Sequence, residues 1–300
     1  MNERDKTRVP LSVLVPVKNE VGNLRECLAS VAFADEIVVV DSASTDGTQE
    51  IATAAGARVV QFAWNGKFPR KKNWALENIP WRHEWVLIID ADERIMPELE
   101  REISLAIRRS DADGFYLNRR FWFLGGWINY CGYFPSWNLR LFRHRLGRYE
   151  RIEIDDDVRS GDNEVHEHVL LNGRAEYLFA AMEHYAFPDV ASFIEKHNRY
   201  STWEAEAREQ LYQRAGQNTL RATPFGTALE RKRWLKKLAR RAPCRPTLRF
   251  LYHYIWKQGF RDGYRAWVLC RLLAWYEFVS AVKAREMSAR RTTGGVNRDS

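Results

Sequence analysis

Trp85-Val86-Leu87-Ile88-Ile89-Asp90-Ala91-Asp92-Glu93 is the stretch that decides how this chain is read. Its apolar half, Trp85 to Ile89, is unbroken and rich in aliphatic residues, the pattern of a strand buried on both faces of a parallel sheet. It stops abruptly at Asp90, Asp92 and Glu93. An Asp-x-Asp at the carboxyl end of a buried strand puts two oxygen donors at the mouth of an α/β sheet, where ligands bind. One intervening residue lets both acids reach toward a hard cation, which prefers carboxylate oxygens and keeps positions open for phosphate. The plainer alternative is that Asp92 or Glu93 caps the helix opening at Pro97.

Outward from this stretch, strands and helices alternate. Leu11 to Val17 reads as a buried strand, followed by the Lys18-Asn19-Glu20 turn and a helix carrying Leu24, Leu28 and Val31 on one face. Glu36 to Val40 is a second strand ending in Asp41, and the turn from Ser42 leads to a second helix. Asp46 with Gln49 three residues later resembles a capping box. Arg58 to Phe62 reads as a third strand, and helices are expected from Lys71 to Asn78 and from Pro97 to about Arg109. Further strands are expected at Gly114–Asn118 and Asn138–Arg143, and helix from Val190 to Gln213. This alternation implies a parallel sheet with helices on both faces. The polar clusters Lys18-Asn19-Glu20, Asp41-Ser42 and Asp90-Ala91-Asp92 then fall at three strand ends along one edge, as a nucleotide pocket with a metal. No Gly-x-Gly-x-x-Gly follows the first strand and no Walker A sequence exists, which disfavours dehydrogenases and P-loop NTPases.

Composition narrows the partners. The 300 residues suffice for one large domain with an appendage, and the net charge of +8 favours anionic partners: nucleotides, nucleic acid or an acidic membrane leaflet. No nucleic-acid motif is evident, so nucleic acid is not expected. The cysteines Cys27, Cys131, Cys244 and Cys270 form no Cys-x-x-Cys pair, which argues for a reducing compartment. The polar start at Met1-Asn2-Glu3-Arg4 is unlike a signal peptide. Phe121 to Leu139 carries no charge, but its Gly125, Gly126, Gly132 and Pro135 are loop chemistry, so no transmembrane helix is expected. Arg231 to Arg249 is a basic run. Phe250 to Val282 interleaves Trp256, Trp267, Trp275 and several tyrosines with Arg and Lys, which suits either an interfacial helix pair or a helical pair packed on the sheet domain. Trp122, Trp127 and Trp137 are candidates for a sugar-stacking wall or for core.

Val15-Pro16-Val17-Lys18-Asn19-Glu20, Glu36-Ile37-Val38-Val39-Val40-Asp41-Ser42-Ala43-Ser44-Thr45-Asp46-Gly47-Thr48 and Asp90-Ala91-Asp92-Glu93 resemble, in order and spacing, the family 2 glycosyltransferases of GT-A fold. The match covers about the first third of the chain. Arg70-Lys71-Lys72-Asn73-Trp74-Ala75-Leu76, Leu139-Arg140-Leu141-Phe142, Asn163-Glu164-Val165-His166-Glu167 and His184-Tyr185 are similar, more loosely, to the lipopolysaccharide core glucosyltransferase branch. The family often writes Asp-Asp-Gly-Ser where this chain has Asp41-Ser42-Ala43-Ser44, so a second acid is absent.

The resemblance implies a mostly parallel sheet flanked by helices in residues 1–188, with a nucleotide-sugar half (9–110) and an acceptor half (111–188). A helical extension (189–286) and a disordered tail (287–300) follow. It implies that Pro16, Lys18, Glu20, Asp41, Lys72, Asp90, Ala91 and Arg140 line the nucleotide-sugar site. Asp41 would bond the base and Asp90 would sit at the ribose and metal. Lys72 would lie near the base or diphosphate, or on an exposed helix face; Arg140 would hold the diphosphate or form a strand-edge salt bridge. Asp92 would ligate Mg2+ or Mn2+ with Asp90, and His184 would be a further ligand or a packed histidine. An inverting transfer needs one base to take the acceptor hydroxyl proton and a cation to stabilise the leaving diphosphate. Glu167 is the choice for that base, with Glu164 and Asp162 as rivals. The expected reaction moves a hexose, glucose from UDP-glucose, to a lipid-linked or lipopolysaccharide-core acceptor. It would occur in the cytoplasm, peripherally on the anionic inner face of the plasma membrane. The alternatives are a polyprenyl-phosphate sugar transferase and a sugar-phosphate nucleotidyltransferase.

Overall fold

A computed structural model describes residues 8–65, 68–109, 111–150, 168–214 and 244–294. The chain divides into two compact units, residues 1–122 with 133–186, and residues 123–132 with 187–300. The elements run β1 (Val9–Val17), α1 (Leu24–Ser30), β2 (Ala34–Asp41), α2 (Thr48–Ala54), β3 (Arg58–Gln61), α3 (Lys71–Asn78), β4 (Trp85–Ile88) and β5 (Glu93–Arg94). They continue with α4 (Pro97–Arg109), β6 (Gly114–Phe123), β7 (Gly126–Ile128, in the second unit), β8 (Trp137–Arg143), β9 (Gly147–Tyr149), β10 (Val169–Leu171) and β11 (Ala175–His184). The last are α5 (Val190–Arg214), α6 (Arg245–Leu251) and α7 (Gly263–Gly294).

In the first unit the sheet order is β3-β2-β1-β4-β8-β6-β11-β5. The β3-β2-β1-β4 half is all parallel, as the continuous apolar runs imply, because such strands must be covered on both faces. On one face Leu11, Val13, Val15 and Leu87 pack with Leu24, Leu28, Leu99 and Ile103 from α1 and α4. On the other, Leu14, Val38, Val40, Val86 and Ile88 pack with Ala75, Leu76, Phe142 and Tyr149. Strand β8 runs antiparallel to both β4 and β6, while β11 is parallel to β6 and antiparallel to β5.

The second half of this sheet carries two irregularities that matter. Tyr116 pairs with Leu139 and Phe115 with Leu141, so Arg140 is the extra residue of β8. Leu117 pairs with Leu178 and Asn118 with Ala181, so β11 bulges at Phe179 and Ala180. Bulges re-aim side chains. The stretch from Phe121 to Leu139, expected to be loop, includes the end of β6, β7 and the start of β8. Two of its glycines, Gly125 and Gly132, sit at turns with positive φ, whereas Gly126 opens β7. Strand β11 was not expected at all, because its faces alternate poorly and Glu176 and Glu183 interrupt its apolar residues.

In the second unit α5 and α6 both pack against α7. Glu277 of α7, buried, accepts bonds from Arg245 and, at 2.7 Å, from Arg249, tying α6 down. Helix α7 continues to Gly294, so residues 287–294 of the expected disordered tail are helical. Met, Ala and Arg propagate a helix well, and Glu286 pairs with Arg290 one turn on. The basic run from Arg231 lies outside the described residues up to 243. Among the described residues, no helix is long and apolar enough to cross a membrane.

Candidate active site

The edge where β1, β2 and β4 end is built from two interlocked turns and one acidic loop. Asn19 and Ala43 both adopt positive φ, which bends the chain sharply after β1 and β2. The two turns are stitched by side chains. Asn19 N–H donates to Ser44 Oγ at 2.8 Å, Thr45 N–H to Asn19 Oδ1 at 2.9 Å, and Glu20 N–H to Thr48 Oγ1 at 2.9 Å. Val21 N–H donates to Asp46 Oδ2 at 3.1 Å. This gives Ser44-Thr45-Asp46-Gly47-Thr48 a physical purpose: its oxygens satisfy backbone donors of the neighbouring turn that no helix or strand supplies. The capping box expected of Asp46 and Gln49 does not form. The N-cap of α2 is Gly47 at φ 85°, and Gln49 instead donates to Asp41 Oδ2 at 3.0 Å. Asp41, fully buried, also accepts the Ser44 N–H at 3.0 Å and the Ser44 hydroxyl.

The acidic loop after β4 is organised by Glu93. Its side chain is 0% exposed; one carboxylate oxygen accepts the Asp90 N–H at 2.9 Å, and the other accepts from Arg140 at 3.1 Å and Arg119 at 3.5 Å. Arg94 closes the loop from behind, donating to Ala91 O, Glu93 O and Asn23 O at 2.8–2.9 Å. Asp90 is gripped by cations on both oxygens, Arg140 at 2.7 Å and Lys72 at 3.1 Å. Burial opposes its charge, but Arg140 and Lys72 prevail and hold the carboxyl well below the usual carboxylate range. Burial likewise opposes the charge on Arg140, and Asp90 with Glu93 raises its pKa well above the ordinary value.

Asp92 faces a different neighbour. The register that pairs His184 with Glu93 brings His184 Nε2 to 3.5 Å from Asp92 Oδ2, and Tyr185 N–H donates to Asp92 O at 2.8 Å. The three expected metal ligands are therefore split: Asp92 meets His184, whereas Asp90 is paired with Arg140 and Lys72. Among the described residues no three of His, Cys, Asp or Glu form a group able to hold a cation alone.

Other expected residues take these positions. Pro16 pairs in register with Val40. Lys18 is exposed, Glu20 Oε2 accepts from Asn23 at 3.0 Å, and Ala91 is buried. Lys72 lies over the Tyr149 ring at 5.2 Å. Its neighbours in α3 are structural: Lys71 donates to Val17 O, and Asn73 exchanges two bonds of 2.9 Å with the Tyr149 backbone. Trp122 packs on Tyr185, Trp137 packs edge-on to Tyr177 and Phe179, and Trp127 belongs to the second unit. Glu167, Glu164, Asp162 and His166 lie outside the described residues.

Residues 12–161 match the model of the family described as glycosyl transferase family 2. The chain belongs to this family. Over 211 residues the glycosyltransferase is 31% identical to a lipopolysaccharide core biosynthesis glycosyltransferase of Rhizobium meliloti, covering 66% of this chain and 72% of the relative. It is 39% identical over 106 residues to an uncharacterised glycosyltransferase of Rickettsia bellii, about a third of either chain (35% of each). A mannosyltransferase of Pyrobaculum calidifontis, solved with GDP-mannose and Mn2+, covers 93% of this chain and 88% of its own at 17% identity and a TM-score of 0.47. A likeness that loose says nothing about the site. The mostly parallel sheet with flanking helices is the GT-A-type fold of a family 2 glycosyltransferase.

Sequence reasoning missed Glu93 as an anchor, along with Arg94 and Arg119. Glu93 stood in the deciding stretch, but its burial depends on β11, a strand with no clear pattern of its own.

Proposed function

We propose that this glycosyltransferase moves a hexose, glucose from UDP-glucose, with inversion onto a lipid-linked or lipopolysaccharide-core acceptor at an anionic membrane surface. The observation that carries the reading is the division of labour in one acidic loop, where Asp90 is ion-paired with Arg140 and Lys72 while Asp92 meets His184. The Rhizobium relative's description supports the acceptor class.

Asp92 and His184 suit a divalent cation, since together they supply one oxygen and one nitrogen and leave most positions to diphosphate oxygens and water. Mg2+ or Mn2+ held there supplies neutralisation of the charge gathering on the diphosphate. Asp90, kept ionised and oriented, accepts a ribose hydroxyl. Arg140 acts as a positioning residue for Asp90 and Glu93, and Lys72 offers its ammonium to the diphosphate beside Asp90. The nucleoside base lies beside Asp41, whose carboxylate Ser44 and Gln49 hold in place. Proton removal from the acceptor falls to Glu167, with Glu164 and Asp162 as the rivals.

The test uses the purified full chain with UDP-, GDP- and dTDP-sugars, with Mg2+, Mn2+ or chelator, beside Asp92→Asn. Release of a nucleoside diphosphate from one donor should require metal and fall by roughly 100-fold in the variant. Pyrophosphate as the product would move the site to nucleotidyl transfer. Turnover indifferent to metal or to Asp92→Asn would overturn the assignment of the loop.

A further inference from the structure

Apolar residues at helical spacing normally mark the face that a helix buries. In the second unit the opposite holds. Leu248, Leu251, Tyr252 and Ile255 recur at i, i+3, i+4 and i+7 along α6 and the π-turn that extends it, and all four are exposed. Trp256 follows at 77% exposure, then Phe260, Tyr264 at 74%, and Trp267. Tyr264 and Trp267 stack at 6.1 Å, and a run of exposed large apolar side chains on a folded protein marks an interaction site.

The segment is held rigidly despite its exposure. His253 Nδ1 lies 2.7 Å from Cys131 O, and Cys131 N–H donates to Lys257 O at 3.0 Å. Asp262 accepts the N–H groups of Asn129 and Tyr130, and Arg265 Nε donates to Leu124 O at 3.0 Å. Gly259 is packed so closely that a Cβ would lie 2.5 Å from Cys131 Sγ. The aromatic side chains thus sit on a fixed frame, which lowers the ordering cost of binding.

The charge around them has one sign. From Tyr252 to Arg271 the sequence has the bases Lys257, Arg261, Arg265 and Arg271 and one acid, Asp262, which is spent on backbone amides. All four bases are exposed. Arg271 lies over Trp267 at 5.9 Å and Lys257 over Tyr252 at 5.7 Å, so cations flank the rings. Trp and Tyr rings favour the headgroup level of a bilayer, and Lys and Arg beside them are attracted to anionic lipid.

We propose that the surface formed by Leu248, Ile255, Trp256, Phe260, Tyr264 and Trp267 docks the enzyme onto an anionic lipid bilayer. The surface inserts its aromatic rings at headgroup depth, and Lys257, Arg261 and Arg271 pair with lipid phosphates, Arg265 being engaged by the Leu124 and Gly125 carbonyls. This deepens the reading of a membrane-borne acceptor, yet it is tested apart from sugar transfer.

The experiment is flotation of the full chain with phosphatidylcholine vesicles, with and without phosphatidylglycerol, at low and high salt. Wild type is compared with Trp256→Ser/Tyr264→Ser and with Phe179→Ser, an equally exposed aromatic (76%) of the first unit. Wild type and Phe179→Ser should float with anionic vesicles and weaken with salt, and the double variant should bind about tenfold less or worse. Soluble-donor turnover by each variant reports that the chain is folded; vesicle binding without any donor turnover would sink the transferase reading and leave the docking intact. Equal flotation of the double variant and wild type would overturn the proposal. So would a wild-type dimer that the double variant breaks, or RNA binding lost with the same two rings.

Discussion

Glu93 and Asp92 are chain neighbours with opposite duties, and substituting each in turn separates them. Glu93→Gln keeps the shape of a side chain that is fully buried and accepts from Asp90 N–H, Arg140 and Arg119. The amide can accept on one side only; on the other it meets an N–H donor with an N–H donor. Hydrogen bonds to charged groups are worth about 1.5–3 kcal/mol each, and breaking a buried ion pair costs about 3–5 kcal/mol. Arg140 keeps Asp90 as a partner at 2.7 Å, so the lower end applies, about 3 kcal/mol. For a unit of this size that is a fall in Tm of about 6–12 °C. Asp92→Asn acts at the solvent edge, with 18% of its side chain exposed, and should cost under about 1 kcal/mol while lowering donor turnover by roughly 100-fold. Thermal and urea unfolding followed by circular dichroism, beside donor turnover, reads both quantities. Glu93→Gln within about 1 kcal/mol of wild type, or Asp92→Asn as unstable as Glu93→Gln, would refute the assignment of anchor and functional acid.

Two further outcomes follow from the geometry. Because the Asp90 carboxyl is held well below its unfolded value, its stabilisation is full above about pH 4 and lost as pH falls through the lower folded value. The stability gap between wild type and Asp90→Asn should therefore narrow on acidification below about pH 4, and a gap independent of pH there would contradict the Arg140 and Lys72 pairing. In the second unit Gly259→Ala puts a methyl 2.5 Å from Cys131 Sγ and 2.9 Å from His253 O, which should cost about 2 kcal/mol in the urea midpoint read by tryptophan fluorescence. A cost near zero would mean that the frame beneath the exposed rings yields.

Much of the parallel core was legible because its signals are local. An apolar run from Trp85 to Ile89 needs cover on both faces wherever it lies, and acids that follow it are carried to the strand's end. The same holds for Val15–Val17 and Val38–Val40, so Lys18, Asp41 and Asp90 could be set along one edge from sequence. The role of single side chains could not, since it depends on what arrives from elsewhere. Gln49 reads as half of a capping box until Asp41 is seen to take its amide. Arg140 reads as a diphosphate ligand or as a strand-edge salt bridge, and only the one-residue slip against β6 shows that it pairs, buried, with Asp90 and Glu93.

The sequence by itself determined the α/β class, the sheet edge at which Lys18, Asp41 and Asp90 gather and the family, all of which follow from short-range pattern. Only the tertiary structure decided which acid is a buried anchor and which meets His184. Glu93 is buried and Asp92 meets His184 because β5 pairs with the end of β11. That contact joins distant parts of the chain, and no local periodicity encodes it. The exposed stripe of α6 shows the same limit, since helical spacing says that a face is apolar and only packing reveals whether the protein itself covers it.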